Sequence, residues 1–158
     1  MPTTHHVGFA GEAAVASEFS IRGYIVSLPM VDLGTDLFVE NHNNGQVWRV
    51  QVKTALPKAN NPNHFQFGVK ELSIHAPTAK ATHFAFVMRL ADAWKLFIIA
   101  QPVLSNFVLN NNMGSLSANN PNRTFTFIHN PAAASITCSG TNMLPFSTPA
   151  AWNTWPVI

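Results

Sequence analysis

The sequence predicts a mixed α/β fold, a helix packed on a central sheet. Three observations carry this. An Ala-rich segment ends at a glycine, several β-type runs follow it, joined by turn formers, and hydrophobic residues make up 47 % of the 158 positions. Such a pattern of elements is that of a layered domain with one core, and the length suits one domain better than two.

Residues from about Gly8 to Ile21 place Phe9, Ala13, Val15, Ala16 and Phe19 at mixed spacings of 3 and 4, with Gly23 just beyond. This predicts a helix with a glycine at its C-terminal end. Glu12 falls in the first turn of that helix, where a carboxylate is favoured by the dipole. Tyr24 to Leu28 is a short β-type run stopped by Pro29. Asp32-Leu33-Gly34-Thr35 predicts a turn, and Asp36 to Glu40 a second strand. Asn41-His42-Asn43-Asn44-Gly45 is a hairpin signal, and Gln46 to Thr54 is a strand rich in β-branched and aromatic residues. Leu56 to Asn63 is expected as a loop, Phe65 to Val69 as a short strand, and Lys70 to Ala76 as a short helix stopped by Pro77. His83 to Leu90 and Trp94 to Ala100 predict a second hairpin. Pro102 to Leu109 predicts a helix, Asn110 to Asn122 a loop and Thr124 to His129 a strand. Residues 1–129 thus form the expected domain. The Pro-, Ala- and Thr-rich residues 130–158 are expected as an irregular C-terminal extension packed on it through Trp152 and Trp155.

Composition narrows the function classes. Only 10 % of residues are charged, against about 25 % in typical domains. The formal charge of +2 does not by itself argue for nucleic acid. A single cysteine, Cys138, excludes an internal disulfide framework, which fits a reducing compartment. Met1 to His6 lacks a basic region followed by an apolar run, and no apolar stretch is long enough to span a bilayer, so a cytoplasmic protein without membrane partners is expected. The seven histidines are scattered, and without cysteine pairs a structural zinc site is not expected. No phosphate-binding glycine loop is present.

The hairpin gathers the chemistry. Its centre lies near residue 44, so position 36 falls opposite 51–52. Gln51 and Lys53 share one face of their strand and Val52 takes the other. An acid, an amide oxygen and an ammonium therefore converge, and the first helix can bring Glu12 to their edge. A hard divalent cation seeks such oxygens: the Asp36 carboxylate, the Gln51 amide and the backbone carbonyl of Val52. Lys53 beside them suits stabilisation of phosphoryl charge or activation of a water. Arg49 and Lys58 add positive charge nearby, and the Asn-rich segments 60–63 and 110–122 are candidates for contact with base edges.

Gly11-Glu12 on a helix, Gly23-Tyr24, Asp32-x-Gly34-x-Asp36, a strand, a turn and Gln51-Val52-Lys53-Thr54 together resemble the PD-(D/E)xK nuclease superfamily. The Gln-x-Lys form is similar to that of small group I intron homing endonucleases, and the early Glu and Gly-Tyr step to Holliday junction resolvase-like domains. The resemblance spans roughly residues 8 to 109, about two-thirds of the chain. It implies a restriction-endonuclease-like αβββαβ core, a central mixed sheet flanked by helices, and Mg2+-dependent (or Mn2+-dependent) cleavage of DNA. Carried onto this sequence, it implies Glu12, Asp36, Gln51 and Val52 as metal ligands and Lys53 as the catalytic lysine, with DNA as partner and a homo-oligomer where both strands are cut. Gln51 departs from the usual acid and removes a negative charge. The alternative is therefore a catalytically weak or inactive nuclease-fold protein that acts as a nucleic-acid or protein interaction module.

Overall fold

A computed structural model describes residues 3–31, 34–75, 81–147 and 149–156. The first element, α1 (Thr4–Ile21), leads to β1 (Tyr24–Ser27), β2 (Leu37–Asn41) and β3 (Gln46–Ala55). Next come β4 (Pro57–Lys58), β5 (Asn61–Lys70), α2 (Glu71–His75), β6 (His83–Arg89), β7 (Trp94–Ala100) and α3 (Gln101–Asn111). The chain ends with β8 (Ser115–Leu116), β9 (Asn122–Asn130), β10 (Ser135–Cys138), β11 (Thr141–Asn142), a 3-10 turn at Leu144–Phe146 and α4 (Pro149–Asn153).

The central sheet runs β1-β2-β3-β6-β7, with β3 and β6 parallel and the other neighbours antiparallel. It is the expected mixed sheet. The β2–β3 turn forms because Asn41 holds it at three points: its carbonyl accepts the N–H of Asn44 at 3.3 Å and of Gly45 at 2.8 Å, and its Oδ1 that of Asn43 at 3.0 Å. Gly45 adopts φ +69°, a conformation costly for residues with a Cβ. The resulting register pairs Leu37 with Val50.

Alternation along the strands divides the interior into two cores. Val15 and Phe19 of α1, Leu37, Val39, Val50 and Val52 fill one, closed by Trp152 and Trp155. On the other face, Ala55, Phe84 and Phe86 pack against a second sheet, β11-β10-β9-β5-β4, and against Ile74 of α2 and Leu104 and Val108 of α3. One face of the central sheet thus meets α1, and the other meets a sheet with two helices.

Several expectations are corrected. α1 begins at Thr4 rather than near Gly8, because His6 in its first turn closes the cap: the Thr3 N–H and Oγ1 lie 3.3 and 2.7 Å from His6 Nδ1. Glu12 is therefore in the middle of the helix, not in its first turn, and the dipole argument does not apply to it. Phe9 is 64 % exposed, and the buried stripe is Gly11, Val15 and Phe19. The stretch from Leu56 to Asn63 contains β4 and the start of β5, a hairpin in which Pro57 sits on an edge strand where its missing N–H is tolerated. Within 110–122, β8 pairs with β9. Beyond residue 130 the chain is regular: β10 pairs with β9 and buries Ile136 and Cys138, which short Ser/Thr/Ala-rich strands do not announce by propensity. Asp32 and Pro77 lie outside the described residues.

Candidate functional site

The site assembles where β2 stops short of its partner. β2 starts at Leu37, opposite Val50, so on that side β3 runs on past the ladder from Gln51 to Ala55. Asp36 bridges the gap. Its backbone N–H donates to the Val50 carbonyl at 3.0 Å, and its Oδ2 accepts the N–H of Val52 at 2.6 Å, a charge-assisted bond in the place of a ladder carbonyl. In an extended strand the N–H and C=O of one residue point to the same edge, so the Val52 carbonyl is directed to the side where Asp36 stands.

Gln51 and Lys53 flank Val52 on the strand and share the face toward the second sheet, since Val50 and Val52 belong to the core under α1. Gln51 is buried at 7 % exposure, and its Oε1 has no hydrogen-bond partner among the described residues. An unmade hydrogen bond at a buried amide costs about 1–3 kcal/mol. Gly34 lies against this side chain: a Cβ there would stand 3.9 Å from Gln51 Nε2, and its φ of +91° suits glycine. Lys53 is half-buried.

Glu12 stands apart from this pair in one respect. Its helix packs on the opposite face of the sheet, over Val52 and Thr54. The approach is close at the neighbouring residue, where a Cβ on Gly11 would fall 1.8 Å from Thr54 Oγ1. Glu12, the residue after Gly11 on this helix, is half-buried. The structure therefore brings Asp36 and Val52 into direct contact and sets Gln51 and Lys53 to either side. It places Glu12 across the sheet from those two side chains.

A divalent cation fits this donor set. Oxygen donors dominate it, one of them a buried orphan among the described residues and one the Asp36 carboxylate, the complement that Mg2+ favours when it retains waters. Among the described residues no group of three or more His, Cys, Asp or Glu is arranged to hold a metal. The histidines serve elsewhere. His83 is buried with its Nε2 3.0 Å from the Pro156 carbonyl, and burial pulls its pKa below the usual imidazole range. His75 lies between Ser105 and Glu71, and Glu71 is held below its usual value by the Arg123 guanidinium. Burial pushes the Cys138 thiol up to about 11, which leaves it a poor nucleophile.

Gly34 and Thr54 are the neighbours whose contacts the sequence does not reveal. Both lie inside motifs that draw attention, yet the Gly34–Gln51 and Gly11–Thr54 approaches depend on how the loop and the helix lie on the sheet.

No helix among the described residues is long and apolar enough to cross a membrane. No family model matches the chain, and no curated protein matches it in sequence. Among solved structures, the bacterial homing endonuclease I-Ssp6803I is similar in fold, with a TM-score of 0.56 at 14 % identity over 82 % of this chain and 78 % of that one. At that identity the likeness speaks for architecture alone, and the chain has an endonuclease-like mixed α/β fold.

Proposed function

We propose that this protein is a metal-dependent DNA endonuclease of the PD-(D/E)xK type, with its centre at Asp36, Gln51, Val52 and Lys53. One observation carries the reading: the Asp36 carboxylate is fixed on the Val52 N–H, and the residue before Val52, Gln51, buries an Oε1 that has no hydrogen-bond partner among the described residues. A protein that keeps an unsatisfied buried amide oxygen on the residue before the one that anchors a carboxylate retains a destabilising feature that a bound cation would relieve.

Asp36, Gln51 and the Val52 carbonyl would hold Mg2+ or Mn2+, with Glu12 reaching the cation around the edge of the sheet. Bound there, the cation supplies Lewis-acid polarisation of a phosphodiester and a clamp on its oxygens. Asp36 also anchors β3, so the strand that carries Gln51 and Lys53 is held in a set position before substrate arrives. Lys53, on the same strand face as Gln51, places its ammonium where charge grows on the phosphoryl oxygens. A pre-positioned cation of this kind lowers the barrier without reorganisation. The endonuclease-like fold favours DNA as the partner, with a homo-oligomer where both strands of a duplex are cut.

Plasmid and branched DNA incubated with Mg2+ or Mn2+, wild type against Lys53→Ala, test this. Loss of at least about 100-fold in the variant is expected. Absence of cleavage by the wild type under every condition leaves the nuclease-fold interaction module, which the low charge and Gln51 favour.

A further inference from the structure

The β4–β5 hairpin holds a solvent-open cavity of about 340 Å3, lined by Lys58, Ala59, Asn60, Asn61 and His64. Its side-chain polar groups are an ammonium, two amides and an imidazole, and no carboxylate lines it. The Asn61 Oδ1 accepts the N–H of Asn63 at 3.3 Å, which turns its amide NH2 away from that backbone. Asn60 and Lys58 are exposed, and among the described residues no salt bridge engages Lys58. A cavity with an ammonium at its rim and no carboxylate in its lining favours an anion over a cation.

Position gives that anion an identity. The hairpin leaves β3 directly after Ala55, and β5 belongs to the sheet lying on the face that carries Gln51 and Lys53. Ala55 shares that face and packs in the same core as Phe65, the residue after His64. The cavity and Lys53 thus lie on one side of the central sheet, joined by a few residues of chain. A backbone phosphate held at Lys53 would have Lys58 a few residues further along the same chain, at the cavity.

We infer that the β4–β5 cavity is a phosphate subsite for a nucleic-acid backbone, one that anchors the strand outside the position where cleavage occurs. The subsite rests on the proposed nuclease reading for its choice of polymer, but its contacts are separate from that centre. It contributes affinity without base selectivity, as phosphate contacts do.

The test is binding without turnover. Fluorescence anisotropy of a short labelled DNA duplex, in EDTA, is compared for wild type, Lys58→Gln and Asn61→Ala. Lys58 is exposed, so Lys58→Gln isolates the charge from any folding defect. Each variant is expected to weaken binding roughly three- to tenfold, and Lys58→Gln to lower the salt slope by about 1. Equal affinity and equal slope across all three proteins overturn the subsite. So does inorganic pyrophosphate binding that depends on Lys58 while duplex binding does not, because the anion is then a small free phosphate. EDTA separates the two readings. A wild type that never cleaves but binds DNA through Lys58 leaves the subsite standing and removes the nuclease.

Discussion

The Asp36 carboxylate accepts the backbone N–H of Val52 at 2.6 Å, so one acid both closes the end of the β2–β3 ladder and stands at the candidate metal position. Its structural and chemical roles are separable by substitution. Asp36→Asn keeps an acceptor for the Val52 N–H and is expected to fold with near wild-type stability. Asp36→Ala leaves that N–H without its partner, at a cost of about 1–3 kcal/mol. Both variants should lose cleavage. Urea denaturation beside the plasmid assay checks this, and an Asp36→Asn protein that cleaves normally would show the carboxylate to be a strand clamp alone.

Gln51 predicts a conflict between stability and function. Its Oε1 is buried without a partner among the described residues, so a shape-similar apolar side chain removes a cost rather than an interaction. Gln51→Met is expected to be neutral or stabilising by up to about 1 kcal/mol in metal-free buffer, and inactive. Mn2+ should raise the melting temperature of the wild type and not of the variant. A variant destabilised by more than about 2 kcal/mol in EDTA would count against this account.

Gly11→Ala sets helix propensity against packing. Alanine favours a helix interior by about 1 kcal/mol over glycine. Here the added methyl meets Thr54 Oγ1 at 1.8 Å and Thr54 Cβ at 2.9 Å, so rotating the threonine does not relieve the clash and α1 must lift from β3. Overpacking of this kind costs about 1–3 kcal/mol, and packing wins. Thermal denaturation should show a net loss, partly restored by adding Thr54→Ala, which removes Oγ1 and Cγ2 but not Cβ.

His83 gives a pH dependence with a definite sign. Burial lowers its folded pKa below the unfolded value, and the bond to the Pro156 carbonyl only partly opposes this. The folded state therefore binds fewer protons, and its stability is fully present above the ordinary histidine value of about 6.5 and falls as pH drops through that value toward the folded pKa. Urea midpoints measured from about pH 7.5 to 5.5 should decline more for wild type than for His83→Asn. Equal slopes would assign the decline to the exposed histidines.

Much of the candidate site was legible in local chemistry. The Asn-rich turn and the alternation of Val47 to Val52 placed residue 36 opposite 51–52, and the observed Leu37–Val50 pairing is that register. Gly23 just past α1 has the positive φ expected of a helix-ending glycine. The start of α1 is not legible in the sequence because a histidine, not the usual Glu or Gln, closes its cap.

Turn formers and period-two alternation act over a few residues, so the sequence by itself determined the hairpins, the register and which side chains share a strand face. Tertiary structure decided what covers each face: α1 over Val52 and Thr54, a second sheet beyond Gln51 and Lys53, and Trp152 and Trp155 returned from the far end of the chain onto Phe19. It also decided that the Asp36 carboxylate turns along the edge of β3 to Val52. Long-range burial selects these arrangements, and burial depends on surfaces that meet only once the strands have paired.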